Sequence, residues 1–166
     1  MKTDIKEIFE KIVSDWHVNR DLSFEVFVMF SRFEYALKRA GYASVQNNYI
    51  KVDWDRFAIE HKDLIKSTNL SNEIRYFKKS PPNKQSYDGQ TLKWKIQKWD
   101  SKQSDLHELL RFIYNVRNNL FHGGKFPGQP ISDVSRDNEL LKHVIAVIQE
   151  CININNTVRY FFCDTK

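Results

Sequence analysis

Arg117, Asn118 and His122 stand together in the stretch RNNLFHGG, residues 117–124. These are side chains that hold anions and move protons. A guanidinium is permanently charged and needs a carboxylate, an anion ligand or a route to water wherever it is removed from solvent. An imidazole titrates near neutrality, so it serves as an acid or as a phosphate ligand. Asn118 precedes His122 by four residues, which places both on one helical face and lets the amide fix the ring's tautomer. Arg117 and His122 are five apart, and in an ideal helix they diverge by about 140°. Gly123 and Gly124 follow at once, and a helix that stops there can turn the ring back. Free carbonyls at that helix end would favour the protonated ring.

The element that must carry these groups is an amphipathic helix over about Ser104–Phe121. Leu106, Leu109, Leu110, Ile113, Val116, Leu120 and Phe121 fall on one stripe at helical spacing, and Arg117 falls inside it. Asp105 and Glu108 open the helix, where its dipole favours acids. An earlier helix, about Leu22–Ala40 with Gly41 as its C-cap, shows the reciprocal anomaly. Phe24, Phe27, Val28, Phe30, Ser31 and Leu37 define its apolar side, and Glu34 lies among them. The pattern therefore predicts that Glu34 and Arg117 approach within about 6 Å, directly or through water. The alternative is that Arg117 snorkels at the end of its stripe.

Three further helices complete the reading. One carries Ile5, Ile8, Phe9, Ile12, Val13 and Trp16 behind Asp4 and Glu7 at capping-box spacing. A shorter one covers VDWDRFAIEHKDLIKS, and a long last one runs from about Arg136 to Phe161. The spacing thus predicts an all-α fold, a single bundle of about five helices over residues 1–166. A loop is expected at GGKFPGQP, and a basic, irregular insertion over about 69–100, where KKSPPNKQSYDGQ has turn chemistry and TLKWKIQKW leaves room for a short strand or helix.

At 166 residues the chain has the size of one ordinary domain. Its charged, amphipathic opening is unlike a secretion signal, and no run reaches the length of a membrane span. Cys151 and Cys163 suggest neither a disulfide framework nor a zinc site, and no metal-ligand spacing occurs. A reducing cytoplasmic setting is expected. The net charge is +5, and residues 75–99 alone contribute +6 through Arg75, Lys78, Lys79, Lys84, Lys93, Lys95 and Lys98 against Asp88. A polyanionic partner follows from that concentration. His17, His61, His107 and His143 read as ordinary polar-face residues, with His107 on the motif helix.

RNNLFHGG late in a helical bundle resembles the signature of the HEPN superfamily (higher eukaryotes and prokaryotes nucleotide-binding): an arginine, a polar residue, a short spacer and a histidine. FSRFEYALKRAGY is similar to an early helix of these domains, with Glu34 in its acidic position. The likeness covers the helical parts and leaves out residues 75–99. It implies a metal-independent endoribonuclease without cofactor, acting as a toxin or antiviral defence factor. The site would be composite, at a homodimer interface. Arg117 would clamp the scissile phosphate and His122 would act as general acid or base. Asn118 would orient the histidine or touch the phosphate, with Asn119 and Glu34 in support. An antitoxin or regulatory protein is a partner such a role admits. The basic segment would be an RNA track, its lysines on phosphates while Tyr76, Phe77, Tyr87, Trp94 or Trp99 stack on bases. Those aromatics could equally fold inward onto the bundle.

Two rival expectations stand beside this one. The first is a non-catalytic HEPN interaction or nucleotide-binding module, against which an intact Arg117/Asn118/His122 set weighs. The second is a plain helical RNA-binding protein in which the basic insertion does the work.

Overall fold

The computed structural model describes residues 4–122 and 134–164. The loop expected over residues 123–130, with the Gly123–Gly124 stop, lies outside them. Among the described residues the protein is mostly helical, with seven α-helices: α1 (Ile5–Ser14), α2 (Arg20–Arg39), α3 (Trp54–His61), α4 (Ser71–Lys79), α5 (Asp105–Phe121), α6 (Val134–Asn153) and α7 (Asn156–Cys163). Two antiparallel hairpins interrupt them, β1 (Ala43–Gln46) with β2 (Tyr49–Val52), and β3 (Lys84–Tyr87) with β4 (Leu92–Lys95). The expected five-helix, all-α bundle is therefore corrected on both counts.

Local chemistry sets the boundaries. Asp4, Asn19, Asp53, Ser104 and Asn155 each accept a backbone N–H from the first turn of the following helix. Gly41 ends α2 at φ +93°, with Tyr42 N–H donating to the Leu37 carbonyl at 2.9 Å and Gly41 N–H to Lys38 at 3.3 Å. That is a Schellman turn, as the glycine's position suggests. The single long last helix expected over Arg136–Phe161 breaks after Ile154. Asn155 takes extended backbone there and spends its side chain on three partners: Val158 N–H, the Tyr42 hydroxyl and His61 Nε2.

The core is one cluster. Phe30, Phe33 and Leu37 of α2 meet Phe57 of α3, Phe77 of α4, Leu106, Leu109, Phe112 and Ile113 of α5, and Val144, Val147 and Ile148 of α6, all essentially sealed from solvent. α2 packs on both α6 and α7, and Arg32 fastens α7 by donating to the Phe162 and Asp164 carbonyls. α1 differs from the rest: Ile5, Ile8, Phe9 and Ile12 are all exposed, and the helix buries no residue.

The segment 69–100, expected to be irregular, is folded. Its first part is α4, anchored by Phe77 at 0% exposure. Pro81 and Pro82 then cross to the β3–β4 hairpin, and Arg136 of α6 secures the crossing through Ser80 Oγ (3.1 Å) and the Pro81 carbonyl (2.9 Å). Two histidines taken for polar-face residues are structural. His61 is buried, its Nδ1 against the Phe57 carbonyl at 3.0 Å and its Nε2 facing the Asn155 amide at 2.9 Å. His143 pairs with Glu73 at 3.2 Å and lies on the Tyr76 ring at 3.9 Å. Burial behind hairpins and short helices, which periodicity does not reveal, accounts for both.

Candidate active site

The last two turns of α5 carry a polar band beside their apolar stripe. Leu106, Leu109, Leu110, Ile113, Val116 and Leu120 are buried as the wheel requires, while Tyr114, Arg117 and Asn118 emerge at i, i+3 and i+4. Asn115 and Asn119 extend the band into the core, at 6% and 8% exposure. His122 is the C-cap residue: its backbone, at φ −112° and ψ 36°, leaves the helical path while its N–H still donates to the Asn118 carbonyl at 2.9 Å. Leaving the helix overcomes the divergence that an ideal helix would impose. Arg117, Asn118 and His122 line one cleft of about 240 Å³, together with Tyr114, Asn115, Asn119, Lys84 and Gln85.

Among the described residues the cleft has no carboxylate in its lining. Arg117 is half-buried; its Nη1 donates to Asn118 Oδ1 at 3.0 Å and its Cζ sits 5.7 Å from the centre of the Phe30 ring. The contact expected between Glu34 and Arg117 is not made as a hydrogen bond or ion pair among the described residues. Helix geometry explains why. Phe27 meets Phe121 at 5.4 Å and Phe30 meets Arg117, so α2 and α5 run in opposite directions there. Glu34 lies a further turn along α2, where Trp54 packs on Phe30, Phe33 and Tyr114. The Asn118 amide is likewise engaged by the adjacent guanidinium and makes no bond to the imidazole. His107, at the opposite end of α5, pairs with Asp55 at 3.1 Å and takes no part.

The hairpin forms the other wall. Asn119 Nδ2 donates to the Asn83 carbonyl at 2.7 Å, which fixes β3 against α5 at the residue preceding Lys84. In the register of the hairpin, Lys84 faces Lys95 and Ser86 faces Lys93, while Gln85 faces Trp94 and Tyr87 faces Leu92. Residues directly opposite share a face, so the three lysines lie on one side and the aromatics on the other.

On this hairpin the lysines and the rings therefore occupy opposite faces. Of the aromatics, Phe77 is in the core, Tyr76 lies on His143, and Trp99 packs on Phe112 beneath the Lys78 ammonium at 4.8 Å. The cations divide too. Lys78 is paired with Asp105 at 3.3 Å and Lys93 with Asp88, whose carboxyl is held down to about 2 chiefly by that lysine. Arg75 donates to Asn72 Oδ1 at 2.9 Å on α4. Lys79, Lys84, Lys95 and Lys98 are exposed and have no ion-pair partner among the described residues.

Sequence reasoning missed Tyr114 and Asn115 as lining residues; the polar run YNVRNN inside an apolar helix is the signal that marks them. Among the described residues no three His, Cys, Asp or Glu side chains cluster as metal ligands. No described helix is long and apolar enough to cross a membrane. In comparisons with known proteins the chain matches no family model, no curated protein and no solved structure.

Proposed function

We propose that this protein is an endoribonuclease that cleaves RNA by attack of the 2′-hydroxyl, in a site completed by a second copy of the chain. The observation that carries the reading is that Arg117, Asn118 and His122 line one open cleft whose wall, among the described residues, adds Lys84 and no acid. A cation-lined cleft suits a phosphodiester, and a guanidinium suits the extra negative charge of the phosphorane. His122 would take the 2′-hydroxyl proton as O2′ bonds to phosphorus, or return a proton to the departing O5′ as the P–O5′ bond breaks. His122 of the second copy would do the complementary transfer. The products are a 2′,3′-cyclic phosphate and a 5′-hydroxyl, with no metal or cofactor required.

Support for a second copy comes from the apolar surface beside the cleft. Phe24 and Phe27 are 68% and 49% exposed, Val28 and Phe121 are exposed with them, and Phe121 adjoins His122. An apolar patch of this kind marks an interaction surface. The resemblance to HEPN ribonucleases, with their toxin or defence roles, supports the same reading.

The test is incubation with labelled single-stranded and structured RNA in EDTA, beside His122→Ala. Cleavage to cyclic-phosphate ends, lost in the variant, is the expected result. A folded dimer that binds RNA without cleaving any substrate would instead favour the non-catalytic binding module.

A further inference from the structure

We infer that Lys84 and Lys95, facing each other across the hairpin, hold one further phosphate of a single RNA strand whose scissile phosphate lies at Arg117. The inference rests on reading Arg117 as a phosphate ligand; it does not require that the bound strand be cut. Directly opposed residues of an antiparallel pair have Cβ atoms about 4.5–5.5 Å apart, and like charges there oppose pairing. Yet Lys84 and Lys95 occupy such a rung, both exposed, and neither ammonium has a carboxylate among the described residues. The neighbouring rung is different: Lys93 faces Ser86 and is neutralised by Asp88. An anion between the two ammoniums would convert their repulsion into shared attraction.

Position favours a phosphate of the same strand. Lys84 lines the cleft with Arg117 and His122, and Asn83, the residue before it, is bonded to Asn119 of the motif helix. The rung is thus fixed relative to the guanidinium by one hydrogen bond and two residues of chain. Trp94 and Tyr87 lie on the other face of the hairpin, so the strand is held at this step by its backbone alone. Contacts of that kind carry no base information, which makes the site tolerant of sequence here.

The probe is a fluorescein-labelled single-stranded RNA with 2′-O-methyl sugars, which lacks the attacking hydroxyl and cannot be cut, followed by anisotropy over a salt series. Lys84→Gln and Lys95→Gln should each weaken binding about tenfold at low salt. The double variant should be scarcely worse than either single, because one shared phosphate is lost only once. Its plot of log K against log salt should be shallower by about 0.7, the value of one single-strand phosphate. Lys84→Arg should restore most of the affinity, and Lys62→Gln with Lys66→Gln, exposed at the end of α3 and in the following 3-10 turn Leu64–Ser67, should change nothing. Fully additive losses, or losses no larger than those of the remote pair, would overturn the inference. If cleavage proves dependent on His122 while these variants bind normally, this site falls and the ribonuclease reading stands. If the wild type never cleaves but the rung behaves as described, the reverse holds.

Discussion

Helix α5 carries two arginines six residues apart, and they lead opposite lives. Arg111 is saturated: it reaches Glu108 Oε1 at 2.8 Å and Oε2 at 2.6 Å, Gln97 Oε1 at 2.7 Å and the Lys98 carbonyl at 2.8 Å, and lies 4.2 Å over the Phe112 ring. Its partner Glu108 is 1% exposed and accepts the Asp100 N–H at 2.8 Å as well. Burial by itself would raise that carboxyl, but Arg111 and the Asp100 amide more than offset it, and the net shift is downward. Among the described residues Arg117 has one hydrogen bond, to a neutral amide, and an open cleft in front of it. Both are cations set into an apolar helix, so type and burial alone do not separate them. Saturation does: the first arginine holds structure, and the second has bonds left to give.

The largest effect that would break this contrast is on chemistry. Arg117→Ala and His122→Ala should each lower RNA cleavage by about 10²–10⁴-fold. The unfolding free energy should move by less than about 1 kcal/mol, since His122 is exposed and the half-buried Arg117 holds no charged partner among the described residues. Equal losses of stability and activity, measured by denaturation beside the rate, would make Arg117 a second Arg111.

Next is the saturated pair. Arg111→Ala strands a fully buried carboxylate, and the expected cost is about 3–5 kcal/mol in urea unfolding. A cost under about 1 kcal/mol would show that the network is ornamental.

Acid sharpens the same point. The folded Glu108 carboxyl sits below its ordinary value. Its contribution is therefore complete above the unfolded carboxylate's pKa of about 4.3 and is lost as pH falls through and below that value. Glu108→Gln should remove this share of the acid-side decline; an unchanged slope below about pH 5 would assign the decline to other carboxylates.

The smallest effect concerns the unsaturated wall. Lys95→Glu, placing an acid opposite Lys84, should stabilise the hairpin by about 0.2–1 kcal/mol while weakening RNA binding. Amide exchange of β3 and β4 reads the first change and anisotropy the second.

The same distinction explains what the sequence disclosed. Helix α5, its stripe and the Arg117/Asn118/His122 set were legible because helical periodicity marks a charge out of register. Gly41 was legible because a Schellman turn demands a left-handed residue. What failed was everything built by partners distant in sequence. The Glu108 network joins residues 97–100 to α5, and periodicity cannot show that; Glu108 read only as an acid near a helix start. Nor could it show which residues Arg117 bonds, because that depends on where α2 crosses α5. The hairpins were missed, the second in part, for another reason. SVQNNYIKV has Asn47 and Asn48 at φ 50° and 63° between short strands, a recognisable hairpin turn. In β3–β4 the lysines on one face masked the alternation, so the segment read as irregular, with no more than a short strand or helix at TLKWKIQKW.

The central claim is that Arg117, and not simply any arginine of α5, works on the phosphate. Single-turnover cleavage of a labelled RNA in EDTA, with Arg117→Ala and Arg111→Lys compared where both are folded, tests it most directly. The account predicts that Arg111→Lys yields 2′,3′-cyclic phosphate ends at near the wild-type rate and that Arg117→Ala yields them about 10²–10⁴-fold more slowly. Cleavage by Arg117→Ala at the wild-type rate would contradict it.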